Sequence, residues 1–410
     1  MRSGTIPCQT FDHATRSQRE PTRSTKGEVR YTLTRFRWGM SLLAMLVLVG
    51  VVAQPAAASA SLVVNVVQEP GDYEARFPDV VQLDDGRLMA VWHRATAHQN
   101  AVGVIQLSFG SSDGRTWSAP AAALARPSTM AGVDTRDPKL GKMNDGSVVL
   151  TFFTPGGKVY YSVWKPGWTR FTDPVQLTAP GINGGMYSHG SALALADNET
   201  QIDQVLIPVY TTGTTGGAHF IRATWRATLS PRLLVSSSTK IITNDNPVGR
   251  RYTEPSFVQI GSTVVAVVRA EQNGGGSPAI VARWNPYTAT PAFTYQSFTG
   301  VLANSHHLLK TSDGQVLFTY GDKAQTNRPT VGMMISNPTA NWVKGKVLPI
   351  YNSGHADQAN PSSVEITPGT YLTLGYNAKP KSQSPTGGSL WGIETHSADY
   401  SSVPHGLVFD

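Results

Sequence analysis

The sequence predicts an all-β fold, a six-bladed β-propeller, on three observations. An apolar strand, a turn of Asp, Asn or Gly and a second apolar strand recur six times, at intervals of 52 to 64 residues. A period of that size with one hairpin per unit marks radial repetition of small sheets. The composition suits short strands: 39 Gly, 27 Pro and 9 Trp in 410 residues, with 15% charged, and no sustained period near 3.6 beyond residue 62. The third observation is the turn Ser111-Ser112-Asp113-Gly114-Arg115-Thr116-Trp117, which follows an alternating strand over 103–109. Ser111 and Asp113 can hydrogen-bond the turn's own backbone, Gly114 tolerates φ > 0, and Trp117 can pack the hairpin on its neighbours.

The repeats run in order as VVQLDDGRLMAVW (80–92), LGKMNDGSVVLTFF (140–153), SALALADNETQIDQVLIPVY (191–210), SFVQIGSTVVAVV (256–268), HLLKTSDGQVLFTYG (307–321) and SVEITPGTYLTLGY (363–376). Their turns fall near 85, 145, 197, 261, 313 and 368, the third longer and less regular than the rest. Each unit has room for two outer strands. Residues 162–168 and 336–342 look like decayed copies of the Ser111 turn: both keep Ser and Trp and lose the Asp-Gly. No linker-like stretch separates a further domain, so residues 61–410 read as one propeller.

Residues 1–60 read differently. An apolar run over 41–52 follows Arg30, Arg35 and Arg37 and precedes Ala58-Ser59-Ala60. That is the pattern of a secretory signal peptide cleaved after Ala60, too short for a membrane span. The stretch before Val29 is polar, unpatterned and long for a leader's first region, which points to a translation start nearer Val29. Residues 1–60 carry eight Lys/Arg against three Asp/Glu, leaving 26 against 24 in the remainder. The basic balance is thus largely a leader effect, and no Lys/Arg stripe for a nucleic acid remains. The single cysteine, Cys8, leaves with the leader, so the exported chain has no disulfide or thiolate chemistry. The expected product is a secreted monomer that depends on a large core.

In a propeller the innermost strand of each blade starts on the ligand-bearing face, and the repeat's turn lies on the far face. Residues seven to nine positions before each turn should therefore converge at one mouth. They are Arg76, Asp137, His189, Glu254, His306 and Asn360. The second strands return to that face at His93-Arg94, Tyr210, Arg269, Asp322 and Asn377. Strand ends are polar wherever loops are polar, but a whole ring of ionisable and amide groups at one register points to a functional funnel. His306 and His307 alternate, so at most one of them faces the channel.

These residues resemble a family. The Ser111 turn resembles the Asp-box of sialidases, and Ala75-Arg76-Phe77-Pro78-Asp79-Val80-Val81 resembles their R-I-P segment, whose arginine is the first of three that hold the sugar carboxylate. Glu254-Pro255-Ser256 with Arg269 resembles the glutamate and second arginine. Arg328, eight residues before Ser336, resembles the third. Asp137-Pro138 resembles an S-D-P-S segment whose aspartate faces the site. Across most of residues 65–380, the resemblance implies a sialidase-like exo-glycoside hydrolase acting on an acidic, carboxylate-bearing glycan. Three guanidiniums suit bidentate capture of one carboxylate.

Two departures accompany the matches. Asn360 stands where the family has its tyrosine nucleophile, and an amide cannot serve as one. The acid/base aspartate is replaced by Gln99, with His98 beside it, and no carboxylate lies between Arg87 and Ser112. Three readings stay open. A hydrolase with relocated groups would use Asp137 and Glu254 as its carboxyl pair, with His98 or His93 as a further proton donor. A lyase on uronate polysaccharides would neutralise the carboxylate with arginine and remove a proton with His98, His189 or Tyr210. An inactive carbohydrate-binding propeller would keep only the clamp. The expected catalytic residues are Glu254, Asp137 and His98. The expected substrate contacts are Arg76, Arg269, Arg328, His93, His189, Tyr210, His306 and Asn360. No metal spacing is present, so neither metal nor cofactor is expected.

Overall fold

Each repeat's turn joins the two innermost strands of one blade, as its Asp/Gly chemistry requires. The computed structural model describes residues 63–99, 101–196, 201–378 and 388–401. These form a six-bladed β-propeller. The proposed leader and the third repeat's turn at 197–200 lie outside the described residues.

Blade 1 comprises Glu74–Gln82, Leu88–Ala95, Val104–Gly110 and Ala121–Ala122, from the centre outward. Blade 2 comprises Arg136–Lys142, Val148–Thr154, Lys158–Trp164 and Val175–Gln176. In blade 3 the inner strand is broken into Met186–Ser188 and Leu193–Ala196, both paired with Gln201–Thr211; Gly217–Trp225 and Leu233–Thr243 follow. Blade 4 comprises Arg250–Ile260, Thr263–Gln272, Gly275–Trp284 and Thr294–Ser297. Blade 5 comprises Ala303–Lys310, Val316–Asp322, Thr330–Ile335 and Leu348–Tyr351. Blade 6 comprises Ser362–Thr367, Thr370–Asn377 and Ser389–His396, and its outermost strand is Val63–Gln68 from the start of the fold. The ring is therefore closed by strand pairing between its two ends.

The core lies between blades. Val80 and Trp92 of blade 1 meet Leu372 and Leu374 of blade 6 in one cluster. Phe318 of blade 5 meets Val267 of blade 4 in another. A second strand is thus covered on both faces, and every residue of Val148–Thr154 and of Val316–Asp322 is buried. This is why those strands read as near-continuous apolar runs rather than alternating ones.

The Ser111 turn joins the third and fourth strands of blade 1. Ser111 Oγ donates to Asp113 Oδ1 at 2.5 Å, Thr116 N donates to Ser111 Oγ at 3.1 Å, and Trp117 Nε1 donates to Gly114 O at 2.9 Å. Residues 336–342 occupy the same place in blade 5, where Trp342 Nε1 donates to Pro338 O at 2.8 Å. In blade 2 Ser162–Trp164 still belong to the third strand, so the turn starts at Lys165, three residues later than the sequence suggests, and Trp164 Nε1 donates to Trp168 O at 2.6 Å.

Candidate functional site

A repeated kink builds the mouth of the channel. Near its start each of four inner strands shifts register by one residue, between Arg76 and Asp79, Arg136 and Lys139, Thr253 and Ser256, and Asn304 and His307. The extra residue is a β-bulge, which re-aims a side chain. In each bulge a non-glycine residue takes positive φ: Phe77 at 52°, Asp137 at 46°, Glu254 at 52° and Ser305 at 46°. Asn360, just ahead of the blade 6 inner strand, takes 60°. Such backbones cost about 1–3 kcal/mol each and persist where the surrounding structure over-determines them. Proline follows Phe77, Asp137, Glu254 and Asn360, and it leaves no ladder N–H unpaired.

All five residues line one cavity of about 420 Å³ at this mouth. Arg136, Arg269, Arg328, His98, Gln99 and Tyr210 line it too, with Phe153, Tyr187 and Tyr376 adding aromatic surface. Tyr187 stacks on Tyr210 at 5.4 Å between ring centroids, and Phe153 meets Tyr187 edge-on at 5.2 Å. A depression bounded by Leu193, Val258, Gln259 and Lys310 opens elsewhere and holds no carboxyl group or histidine.

The expected ring is correct in register at Asp137, Glu254 and Asn360, and one residue off in two blades. The bulge residues there are Phe77 and Ser305, not Arg76 and His306. Neither Arg76 nor His306 lines the cavity, although Arg136 and Asn304, which precede their bulge residues as Arg76 does, both line it. Arg76 is 4% exposed; its Nε donates to Glu74 Oε2 at 2.6 Å, and its Nη1 pairs with Asp357 and lies 3.1 Å from Nδ1 of the cavity-lining His98. His306 is buried with Nε2 2.8 Å from Val267 O of the neighbouring blade. His307 is buried as well, accepting at Nδ1 from Ser363 N of blade 6 at 3.2 Å. Neither histidine faces the cavity, and both join blades. His189 lies in the break between Met186–Ser188 and Leu193–Ala196 of blade 3; there Gly190 takes positive φ at 81°, and the imidazole is buried with Nε2 unpartnered. His93 is fully buried, its Nε2 2.9 Å from Asp134 Oδ1. His93, His189 and His306 are thus sealed from a substrate, and burial holds all three imidazoles below their ordinary range.

Two carboxyl groups face the cavity in opposed electrostatic settings. Desolvation and the nearby Glu254 charge push Asp137 up to about 7, against the pull of Lys139 and Arg136. Asn360 Nδ2 donates to Asp137 Oδ1 at 3.2 Å, and Asn360 Oδ1 accepts from buried Lys139 at 3.0 Å. Burial also acts on Glu254. There the Arg269 guanidinium at 2.5 Å, the charge of His189 when protonated and the Ser305 N–H at 2.9 Å outweigh it and hold Glu254 at about 2. Arg269 is shared with Glu271, which also takes Lys323 at 2.7 Å.

His98 lies at the edge of the cavity with Nδ1 2.9 Å from Asp357 Oδ2. Burial and the guanidiniums of Arg76 and Arg136 push its imidazole down to about 4. Burial and the Glu254 and Asp137 charges hold the Tyr210 phenol well above its ordinary value. Asp357 stood unremarked in the sequence. Tyr376 Oη donates to its Oδ1 at 2.9 Å. Among the described residues no group of three or more His, Cys, Asp or Glu could hold a metal ion.

No protein-family model matches the chain, and no curated protein matches it. Solved structures do. A protein of unknown function from Dyadobacter fermentans is 18% identical, with 81% of this chain and 97% of that one covered at a TM-score of 0.64. The NanB sialidase of Streptococcus pneumoniae is 12% identical, with coverages of 82% and 71% and a TM-score of 0.60. The Trypanosoma rangeli sialidase is 12% identical, with coverages of 82% and 57% and a TM-score of 0.56. This chain thus has the propeller fold of sialidases, and it spans little more than half the length of the trypanosomal one.

Proposed function

We propose that this propeller is a glycoside hydrolase in which Asp137 is the proton donor and Glu254 the permanently ionised carboxylate. The carrying observation is that two carboxyl groups on one cavity wall have acidities driven apart, to about 7 and about 2. Opposed pKa values assign acid and base roles in two-carboxyl hydrolysis. Protonated Asp137 gives its proton to the glycosidic oxygen as the C–O bond breaks. Glu254 stabilises the positive charge that develops at the anomeric carbon, and water completes the hydrolysis. Asn360, in the place expected for a nucleophile, orients Asp137 through its amide. Aromatic faces at Tyr187, Tyr210 and Phe153 suit the C–H surface of a sugar ring.

A lyase fares worse on the same residues. Of the bases that reading named, His98 lies low, His189 is sealed from the cavity and the Tyr210 phenol holds its proton. The test is turnover of a panel of neutral and acidic aryl glycosides, 4-methylumbelliferyl sialic acid among them. Hydrolysis lost in Asp137→Asn supports the reading. Absence of turnover on every glycoside, with glycan binding retained, would make the protein a lectin. Export belongs to the proposal as well: the apolar run at 41–52 and Ala58-Ser59-Ala60 predict a secreted chain beginning at Ser61, which N-terminal sequencing of culture supernatant checks.

A further inference from the structure

The three arginines expected to capture a substrate carboxylate are already engaged by groups of the chain itself. Arg76 pairs with Glu74 and Asp357. Arg269 pairs with Glu254 and Glu271. Arg328 donates from Nε and Nη2 to Gln358 O at 3.1 and 2.6 Å, and its Nη2 lies 4.0 Å from Asp357 Oδ1. Asp357 thus sits between Arg76 and Arg328, against the cavity-lining His98, Arg328 and Tyr376, as a carboxylate guest at the cavity's edge would.

Its position is built rather than incidental. Tyr376 Oη and His98 Nδ1 each lie 2.9 Å from a different oxygen of Asp357. The next residue, Gln358, is fully buried and pins the loop, accepting from Ser353 N at 2.7 Å and donating to Asn352 Oδ1 at 2.9 Å and Asn327 O at 2.5 Å. An acidic sugar would have to expel Asp357 from two guanidiniums or stand beside it, and like charges that close repel.

We propose that Asp357 is a specificity-determining residue that fills the anionic subsite, so that this cavity takes an uncharged glycan and rejects carboxylate sugars. The proposal rests on the glycan-directed reading above and reverses the substrate charge that the three arginines imply in the sequence.

The experiment is a saturation-transfer NMR titration of N-acetylneuraminic acid and glucuronic acid against wild type, Asp357→Ala and Asp357→Asn. The asparagine keeps the shape and an acceptor for Tyr376, so it stays informative if the alanine unfolds. Wild type should show no saturable binding of either acid. The folded variants should gain it, with affinity rising about tenfold or more. Wild type binding either acid within about twofold of the variants, or folded variants that gain nothing, would overturn the proposal. Turnover separates it from the reading beneath it. An inert wild type that still shows the carboxylate switch refutes only the hydrolase. Neutral and acidic glycosides hydrolysed alike by wild type refute only the Asp357 filter.

Discussion

Asp137 and Glu254 occupy the same bulge position two blades apart, and their neighbours decide their chemistry. Glu254 has a guanidinium and a backbone N–H on its two oxygens. Asp137 has an amide donor, and its nearest cation, Lys139, spends a hydrogen bond on Asn360 instead. The pair must work with Asp137 protonated and Glu254 ionised. Activity should therefore be level through mildly acidic pH and fall about tenfold per unit above pH 7. The sign follows from Asp137 losing the proton it must donate; Glu254, at about 2, stays charged throughout. Asp137→Asn should lower kcat/KM by about 10²–10⁴-fold and abolish the alkaline limb. Glu254→Gln should lower kcat while leaving that limb in place, shifted downward, because Glu254 no longer raises Asp137. A kcat/KM profile from pH 4 to 9 for the three proteins decides the assignment. An unchanged alkaline limb in Asp137→Asn would remove Asp137 from the chemistry.

At the scale of turns and strands, glycine positions separate backbone need from packing need. Gly114 has φ 68°, and a Cβ there would stand 2.6 Å from Leu372 Cδ2 of blade 6 and 3.3 Å from Leu88 Cδ1. Gly167, in the corresponding turn region of blade 2, has φ 86° and open space where its Cβ would lie. Gly167→Ala should cost about 1 kcal/mol for the left-handed backbone alone. Gly114→Ala should cost about 1–3 kcal/mol more, because Leu372 is buried in the seam between blades 6 and 1. Equal losses in urea unfolding would show that the turn does not wedge against the next blade. The same elements explain what was legible. Hairpin turns carry local chemistry, so the Asp-Gly and Pro-Gly turns at 85, 145, 313 and 368 marked the repeat. Phe77, Asp137, Ser305 and Asn360 each lie eight residues before their turns. Phe77 is apolar and Ser305 is not ionisable, so a choice by charge within the seven-to-nine window settles on Arg76 and His306 beside them. Aligning the segments on Pro78, Pro138, Pro255 and Pro361 would have put Phe77 in register. Asp357 meets Arg76 across 281 residues of chain, a contact that no local pattern encodes.

For the whole molecule, the decisive feature is how the ring closes. Six blades share six seams, and the seam between blades 6 and 1 joins the two ends of the chain's fold. Val63–Gln68 supplies the outer strand of blade 6 and buries Val66 and Val67, at 6% and 8% exposure. The following residue, Glu69, accepts from Trp92 Nε1 and Arg94 Nε of blade 1, both at 2.7 Å. One short segment thus ties the last blade to the first. Without it, Ser389–His396 becomes an unpaired edge, which templates association between molecules. The lost burial is about 1.5–3 kcal/mol for each valine, before any ladder hydrogen bond is counted. A chain beginning at Ser61 should melt as the full-length chain does. A chain beginning at Glu69 should melt well below it and form higher-order species at raised concentration, as read by circular dichroism and size-exclusion chromatography. The loss should reach function through the same seam, since Phe77 and Asn360 enter the cavity from blades 1 and 6. If the shorter chain kept both the melting temperature and the elution volume of the longer one, the closing strand would be dispensable and the inner ring of strands would hold the cavity unaided.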